Sequence, residues 1–242
     1  MNRITKIKET DSTNRQLKAQ SEKQRLDEGA VLAAEFQTAG KGQRGNRWES
    51  EAGKNITCSI LLYPRFLPVK QRFLLSETVA LGLKDALEQY LQPLEIKWAN
   101  DIFHQNRKLA GILIENELTG EKIDKSIIGI GLNVNQEKFS DNAPNAVSIK
   151  QIIGREIDVD FLTEQTVNAI LFRYNLLKSG YFDLIRADYH GALYRKSGFY
   201  RFADKTGVFT AEIKRVADDG LLHLATDAGE NRAYAFKEVS FE

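Results

Sequence analysis

A glycine-rich stretch between two apolar runs is the feature that most restricts the fold of this chain. Residues 37–50 read QTAGKGQRGNRWES, and Gly40, Gly42 and Gly45 follow the order G-x-G-x-x-G. A dinucleotide-binding βαβ unit needs a helix that begins at the third glycine, so that its N-terminus faces the pyrophosphate. Here the chain continues as NRWESEAGKN, without helical periodicity, into the strand-like run NITCSILLY. The stretch is therefore a long loop between strands, and the dinucleotide fold is disfavoured.

Other phosphate-binding motifs do not fit this loop either. No G-K-[ST] follows at the Walker A spacing, and the H-R-D and D-F-G sequences of protein kinases are absent. Two interpretations remain, a solvated hairpin loop and a loop that folds over an anion. Glycine loses more backbone entropy on folding than other residues, so three glycines in one loop favour a backbone that must approach something closely. Long loops in compact domains are also usually functional.

Apolar periodicity predicts an α+β fold, a mixed sheet packed with helices. Strands are predicted in RITKIKE, GAVLAAEFQ, NITCSILLY, LEIKW, KLAGILIENEL and KSIIGIGLNVN. Helices are predicted from Thr13, where Thr13 and Gln16 have capping-box spacing, over 72–91, from Asp160, and over 181–194. After RKSG the chain becomes a series of short strands with turns at DKTG, DDG and DAGE, typical of a small β-barrel. The predicted domains are residues 1–194 and 195–242.

Composition excludes several function classes. The 242 residues carry 34 basic and 33 acidic side chains, a net charge of +1, which gives no reason to expect nucleic-acid binding. The single cysteine, Cys58, lies in an apolar strand and is expected in the core, and the three histidines are far apart, so a protein metal centre is not expected. Without a signal peptide or a membrane-spanning apolar run, the expectation is a cytoplasmic protein.

Two further stretches carry candidate chemistry. In IKWANDIFHQNRKLAGILIE, the polar residues around Asp101 and Lys108 are either a solvated hairpin tip or a ligand site. Lys108 begins a core strand, and desolvating it is expensive unless an anion pairs with it. In ETDSTN, the hydroxyls of Ser12 and Thr13 either cap a helix or bind a small polar ligand.

The order of these motifs is more informative than any one of them. DSTN, QTAGKGQRGNRW, KWANDIFHQNRKLAGIL and IGIGLNVN, followed by a small β-domain, resemble biotin protein ligases over essentially the whole chain. The resemblance implies a mixed-sheet catalytic domain with a C-terminal SH3-like barrel. Because DSTN begins at residue 11, no room is left for the N-terminal DNA-binding domain of many members, so a ligase-only type is expected.

The resemblance also implies an activity. ATP with Mg²⁺ and biotin would give biotinyl-5′-adenylate, and biotin would pass to a lysine of a biotin carrier protein domain. The metal would arrive with ATP rather than in a protein-only site, and a homodimer is left open. A lipoate or octanoate ligase is the nearest alternative, although its R-R-x-S-G-G-G segment is absent. A non-catalytic biotin sensor is the other, since Gln43 and Ala99 replace the family's usual arginine and proline.

The expected site residues follow from the same resemblance. Lys108 and Asp101 are the catalytic candidates, Lys108 for the biotin carboxylate and α-phosphate and Asp101 for the acceptor amine. Biotin is expected to contact Ser12, Thr13, Asn14, Gln37, Gly40, Lys41, Gly42, Gln43, Trp48, Lys108 and Gly111. ATP and the adenylate are expected to contact Lys41, Arg44, Arg47, Trp48, Asn100, Lys108 and Asn133.

Overall fold

The computed structural model describes residues 4–242, apart from the side chain of Arg44. The strands are β1 (Ile4–Thr10), β2 (Val31–Gln37), β3 (Ile56–Leu62), β4 (Glu95–Lys97), β5 (Asp101–His104), β6 (Arg107–Thr119), β7 (Lys122–Leu132), β8 (Tyr200–Asp204), β9 (Gly207–Val216), β10 (Leu222–Thr226), β11 (Asn231–Tyr234) and β12 (Ser240–Phe241). The helices are α1 (Thr13–Lys23), α2 (Phe73–Leu87), α3 (Ile149–Ile153), α4 (Val159–Lys178) and α5 (Phe182–Ala192).

A seven-stranded mixed sheet is the centre of the molecule. Its order is β1-β2-β3-β7-β6-β5-β4, with β1 parallel to β2 and the other neighbours antiparallel. Strand β3 is buried along its whole length because helices cover both faces of the sheet. Ile60 and Leu62 join the main core that includes α2 and α4, whereas Leu61 joins Leu17 of α1 on the opposite face. The predicted fold class is confirmed.

Close packing of α2 on α4 depends on a glycine. A Cβ added at Gly82 would lie 2.5 Å from Cα of Ile170, so only glycine lets the two helix backbones approach this closely. The helix pair covers one face of the central strands.

At the start of α1, a hydrogen bond to a distant residue replaces the predicted capping box. The helix begins at Thr13 as predicted, but the capping box does not form: the N-cap is Ser12, and its side chain makes no capping hydrogen bond. The Thr13 hydroxyl donates to Gln37 Oε1 on β2 instead. The spacing to Gln16 was a misleading signal because a partner 24 residues away satisfies Thr13 better.

Three other local features differ from the sequence prediction. Strand β5 (Asp101–His104) was not predicted, because its residues were assigned to the polar stretch between LEIKW and KLAGILIENEL. Helix α4 begins at Val159, one residue before the predicted start, because the Asp158 carboxylate accepts hydrogen bonds from the backbone N–H groups of Asp160 and Phe161. Helix α3 was not predicted, although Ser148 and Gln151 form a complete capping box there. It is too short for apolar periodicity to reveal.

The C-terminal segment forms a five-stranded antiparallel sheet of order β11-β10-β9-β8-β12, as expected for a small SH3-like barrel. It packs on the end of the mixed sheet, where Trp98 Nε1 donates to the Gly220 carbonyl at 3.1 Å and the Trp98 ring meets Phe236 edge-on. The predicted boundary between residues 194 and 195 falls between α5 and β8 and stays a prediction. Within residues 4–242, no helix is both long and apolar enough to cross a membrane.

Candidate active site

A cavity of about 620 Å³ opens over the middle of β3, β7 and β6. It brings together nearly all of the predicted site residues: Ser12, Thr13, Asn14, Gln37, Lys41, Gly42, Gln43, Arg47, Trp48, Asn100, Asp101, Lys108, Gly111 and Asn133. Gly40 is not part of the lining, and the Arg44 side chain lies outside the described residues. Groups from six segments of the chain therefore face one volume.

A hydrogen-bond network holds the α1 end of this cavity. Gln37 Oε1 accepts from the backbone N–H of Thr13 at 2.8 Å and from its hydroxyl at 3.1 Å. Both bonds use the amide oxygen, so the orientation of Gln37 is set and its Nε2 is left as the donor for a ligand. Ser12 and Thr13 are buried beside it. This wall is therefore held together by hydrogen bonds within the chain.

Ser59 anchors the network from below and was not predicted as a site residue. It is fully buried on β3, with its hydroxyl 2.7 Å from Thr13 Oγ1 and 2.6 Å from Asn14 Oδ1. The Asn14 amide in turn donates to Glu115 Oε2 on β6 at 2.7 Å. A hydroxyl in the otherwise apolar run ITCSILL was the available signal, because buried polar groups need partners.

Glycines form the cavity floor. Gly111 on β6 and Gly131 on β7 are register partners, and the Trp48 indole lies over both of them. A Cβ at Gly131 would lie 2.4 Å from Trp48 Cε2, and one at Gly129 would lie 2.5 Å from Asn14 Oδ1. The two glycines of IGIGLNVN are therefore needed because side chains from α1 and the loop press directly on the backbone of β7.

The glycine-rich loop is a compact hairpin rather than an open coil. Trp48 N donates to Gly40 O at 3.0 Å, Gly42 N donates to Asn46 O at 2.7 Å, and a short 3₁₀ turn lies between them. A Cβ at Gly40 would meet the Trp48 carbonyl at 2.5 Å, so Gly40 shapes the loop although it does not line the cavity. Gly45 has φ of +87°, a left-handed conformation that favours glycine.

The loop carries exposed cationic side chains and buried polar atoms without partners among the described residues. Lys41 and Arg47 are exposed at the cavity, and an Arg47 guanidinium N–H donates to the Thr38 carbonyl at 2.9 Å. Gln43 Oε1 and Trp48 Nε1 are buried without a hydrogen-bond partner among the described residues. Because buried polar atoms are normally paired, these two point to a polar ligand in the cavity.

Lys108 and Asp101 form an ion pair at the opposite side of the floor. Lys108 Nζ lies 2.8 Å from Asp101 Oδ1, and it also faces the Trp48 ring at 5.9 Å from the centroid. This answers the question that the sequence left open, because the lysine entering a core strand has a carboxylate partner. Backbone bonds to Asn145 and Val147 hold Lys108 from the other side.

The two predicted asparagines are held by backbone groups. Asn100 Nδ2 donates to the Ile112 carbonyl at 2.6 Å, and Asn133 Nδ2 donates to the Val147 carbonyl at 3.1 Å. Both residues line the cavity, but their amide N–H groups brace the strands around Lys108. Their positions were predicted, and this bracing was not.

Comparison with known proteins decides the family. The family model described as the biotin/lipoate A/B protein ligase family matches residues 7–133, more than half of the chain. The chain belongs to this family. The resemblance read from the motifs is confirmed.

Relatives of this ligase-family chain are named as ligases, and two of the three below are named for biotin. It is 28% identical over 212 residues to the bifunctional ligase/repressor BirA of Bacillus subtilis (strain 168), a match that covers 86% of this chain and 65% of that protein. It is 38% identical over 130 residues to the biotin–[acetyl-CoA-carboxylase] ligase of Paracoccus denitrificans, covering 52% of each. The biotin protein ligase of Aquifex aeolicus, solved in complex with biotin and ATP, superposes with a TM-score of 0.82 at 25% identity, covering 100% of this chain and 99% of that one.

Other lining residues of this family member were missed by sequence reasoning. They are Asn46, Glu49, Cys58, Ile112, Leu113, Gly129, Ile130, Gly131, Gln136, Phe139, Ser140, Asn142, Ala143, Asn145, Ala146 and Phe236. Most lie in loops without a periodic signal, and Phe236 comes from the turn between β11 and β12 of the C-terminal segment. Burial raises the pKa of the Cys58 thiol to about 12, which keeps it protonated and unreactive.

In residues 4–242, no group of three or more His, Cys, Asp or Glu side chains is placed to hold a metal ion.

Proposed function

We propose that this chain is a biotin protein ligase, which joins biotin to AMP and then transfers biotin to a lysine of a carrier protein. The observation that carries the proposal is one cavity with a hydrogen-bonding wall at Gln37 and a cationic centre at Lys108, under a glycine hairpin that brings further cations. The Paracoccus relative supports it by its name as a biotin ligase, the Bacillus relative by its name as a ligase, and the Aquifex structure by its bound biotin and ATP.

The α1 wall suits the ureido ring of biotin. That ring offers one carbonyl acceptor and two N–H donors. Gln37 Nε2 would donate to the carbonyl, and the hydroxyl of Ser12, which makes no capping bond, would pair with a ring N–H. Since Thr13, Asn14 and Ser59 already hold this wall in place, little ordering is needed when biotin binds.

The first step joins two anions. A biotin carboxylate oxygen attacks the α-phosphorus of ATP, a new P–O bond forms, and the bond to the β-phosphate oxygen breaks to release pyrophosphate. Lys108 would leave Asp101 to neutralise the approaching oxygens, and Lys41 and Arg47 would bind the phosphates. Mg²⁺ arriving with ATP would supply further charge neutralisation. Gln43 Oε1 and Trp48 Nε1 would gain their missing partners from the bound substrates.

The second step transfers biotin to an amine. The neutral carrier lysine attacks the activated carbonyl, a C–N bond forms, and the C–O bond to AMP breaks. Asp101 would accept the proton that the amine loses, because it lines the cavity beside the expected position of the biotin carboxylate at Lys108. The loop would exclude water, which otherwise hydrolyses the mixed anhydride.

A strand edge beside the site would bind the carrier. Strand β5 pairs with β6 only as far as Gly111, so within the described chain the outer edge of β6 over 113–119 has no partner strand. Such an edge can pair with an extended segment of another protein. Its start next to Gly111 would bring the carrier lysine close to Asp101.

Intact-mass analysis of an apo biotin carrier domain tests the proposal. The domain is incubated with this protein and MgATP in the presence of biotin, lipoate or octanoate. We expect the mass of one biotin to be added in the biotin reaction alone, and no addition with Lys108→Met. Lys214→Met, an exposed lysine on β9, is the matched control and should retain activity. Modification by lipoate or octanoate alone would overturn the biotin assignment, and biotin binding without transfer would favour the sensor.

Asp101→Asn separates the two steps. We expect biotin affinity to stay within about twofold of wild type, while transfer from preformed biotinyl-5′-adenylate falls on the order of a hundredfold, the usual contribution of a general base. Calorimetry and rapid-quench transfer measure the two quantities. Equal losses in both would contradict this division of roles.

A further inference from the structure

A row of residues crosses the cavity face of the sheet and ends at a lysine that does not line the cavity. Register pairs join Thr57 to Gly131, Gly131 to Gly111, Gly111 to Asp101, and Asp101 to Lys97. Residues directly opposite in antiparallel strands share one face, with Cβ atoms about 5 Å apart. Lys97 on β4 therefore lies next to Asp101 on the face that carries the site.

Aromatic rings hold the Lys97 ammonium group. Its Nζ lies 4.8 Å from the centroid of Phe103 on β5 and 5.2 Å from the centroid of Phe241 on β12. Cation–π contacts of this length are attractive, particularly where the cation is partly desolvated. Phe241 belongs to the C-terminal sheet and also packs against Phe202 and Tyr194, so that sheet supplies one wall of the lysine's position.

Lys97 is electrostatically coupled to the site. The charged groups that act on the pKa of Lys97 are Asp101 from β5, Arg195 from the segment after α5 and Lys108 from β6. Burial lowers the pKa of Lys97 from its ordinary value, Asp101 opposes this, and Arg195 and Lys108 lower it further. Asp101 is thus the one acidic group in this set, and Lys97 and Lys108 are both attracted to it.

The proposed reaction needs Lys108 and Asp101 to part. Lys108 holds Asp101 at 2.8 Å in this structure, but it cannot do so while it neutralises the biotin carboxylate and the α-phosphate. Asp101 would then face the anionic adenylate without its cation, at the moment when it must be ionised to accept the amine proton. A carboxylate near like charge binds its proton more readily.

We propose that Lys97 is a positioning residue for the transfer step: it stays beside Asp101 and keeps the carboxylate ionised after Lys108 turns to the ligand, and Phe241 of the C-terminal sheet holds it there. This rests on the proposed ligase function. It gives the C-terminal segment a role in chemistry, through Phe241 and Lys97, besides its contribution of Phe236 to the cavity lining.

The pH profile of biotin transfer tests this inference. Single-turnover transfer from preformed biotinyl-5′-adenylate to an apo carrier domain is measured from acidic to slightly alkaline pH. For Lys97→Met we expect the acidic half-maximum to move upward by about half a unit to one unit, because loss of a nearby cation lets a carboxylate protonate at higher pH. Lys97→Arg should restore the wild-type profile, and Phe241→Leu should shift it in the same direction by less.

Controls separate charge from packing. Lys214→Met on β9 should leave the profile unchanged, and Lys97→Met in an Asp101→Asn background should produce no further shift. Melting temperatures and biotin affinity identify variants that are merely misfolded. An unchanged profile in Lys97→Met, or equal shifts in the Met and Arg variants, would overturn the positioning role. Failure of the wild-type protein to transfer biotin at all would instead overturn the ligase proposal.

Discussion

The two ends of the cavity hold their polar groups in different ways. At the α1 end, Thr13, Asn14, Gln37 and Ser59 are joined by hydrogen bonds and lie on a helix start and two strands. At the loop end, Lys41 is exposed on a glycine hairpin. Under the proposed function, the hydrogen-bonded end would bind the neutral ureido ring of biotin, and the exposed cations at the other end would bind the phosphate chain of ATP. Between the two ends, the Lys108–Asp101 pair is where the reacting groups would meet.

The largest expected effect on activity is at Lys108, in the middle of the cavity. Lys108→Met should lower adenylate formation at least about a hundredfold, because the charge that neutralises the two anions is removed. Pyrophosphate exchange with saturating biotin measures this step. Lys84→Met is the control for loss of a lysine ion pair far from the cavity, because Lys84 lies on α2, is partly buried and pairs with Glu88 at the C-cap of that helix. A fall of less than tenfold would mean that the loop cations alone carry the step.

A side chain added to the glycine floor of the cavity should slow adenylate formation. Gly131→Ala places a methyl group where the Trp48 indole lies, so the loop cannot close in this geometry and adenylate formation should fall on the order of tenfold or more. Gly191→Ala is the matched control, since nothing lies within 4 Å of a Cβ at that helical position. It should retain activity and gain up to about 1 kcal/mol of stability. If Gly131→Ala forms adenylate at the wild-type rate, adenylate formation does not depend on the contact between Trp48 and Gly131.

The α1 end should respond to loss of its anchor. Ser59→Ala removes the hydroxyl that lies within hydrogen-bond distance of both Thr13 Oγ1 and Asn14 Oδ1, and biotin affinity should weaken by about tenfold. Ser126→Ala is matched, because Ser126 is also fully buried and bonded, to Asn116 outside the cavity. Calorimetry measures biotin binding to both variants. Similar affinities would show that the α1 wall does not depend on the hydrogen bonds of Ser59.

The smallest effects are expected at the loop tips. Lys41→Ala and Arg47→Ala should each raise the KM for ATP a few-fold and leave biotin affinity unchanged, since both side chains are exposed and screened by solvent. The effects should shrink as salt is added, which steady-state kinetics at low and high ionic strength will show. A loss of biotin affinity at either position would erase the contrast between the two ends.

Much of the fold could be predicted because its signals are local. Periodicity placed six of the seven strands of the mixed sheet and the long helices within a few residues, since each pattern reports which side of an element is buried. Strand β5 (Asp101–His104) was missed because four residues are too few to show a period. Lys108 was singled out because a charge at the start of a core strand is costly, and it does have a carboxylate partner. The capping box at Thr13 failed because the same residue types fit two partners, and only tertiary structure chose Gln37.

The sequence by itself determined the element types, the exposed cations and the chemistry available along the cavity. Only the tertiary structure decided which distant groups meet: Ser59 beneath Thr13 and Asn14, Trp48 over Gly131, and Lys97 beside Asp101 with Phe241 above it. The physical reason is that periodicity and propensity act within a few residues, whereas the partner of a buried polar or aromatic group is set by strand register and by packing between segments far apart in the chain.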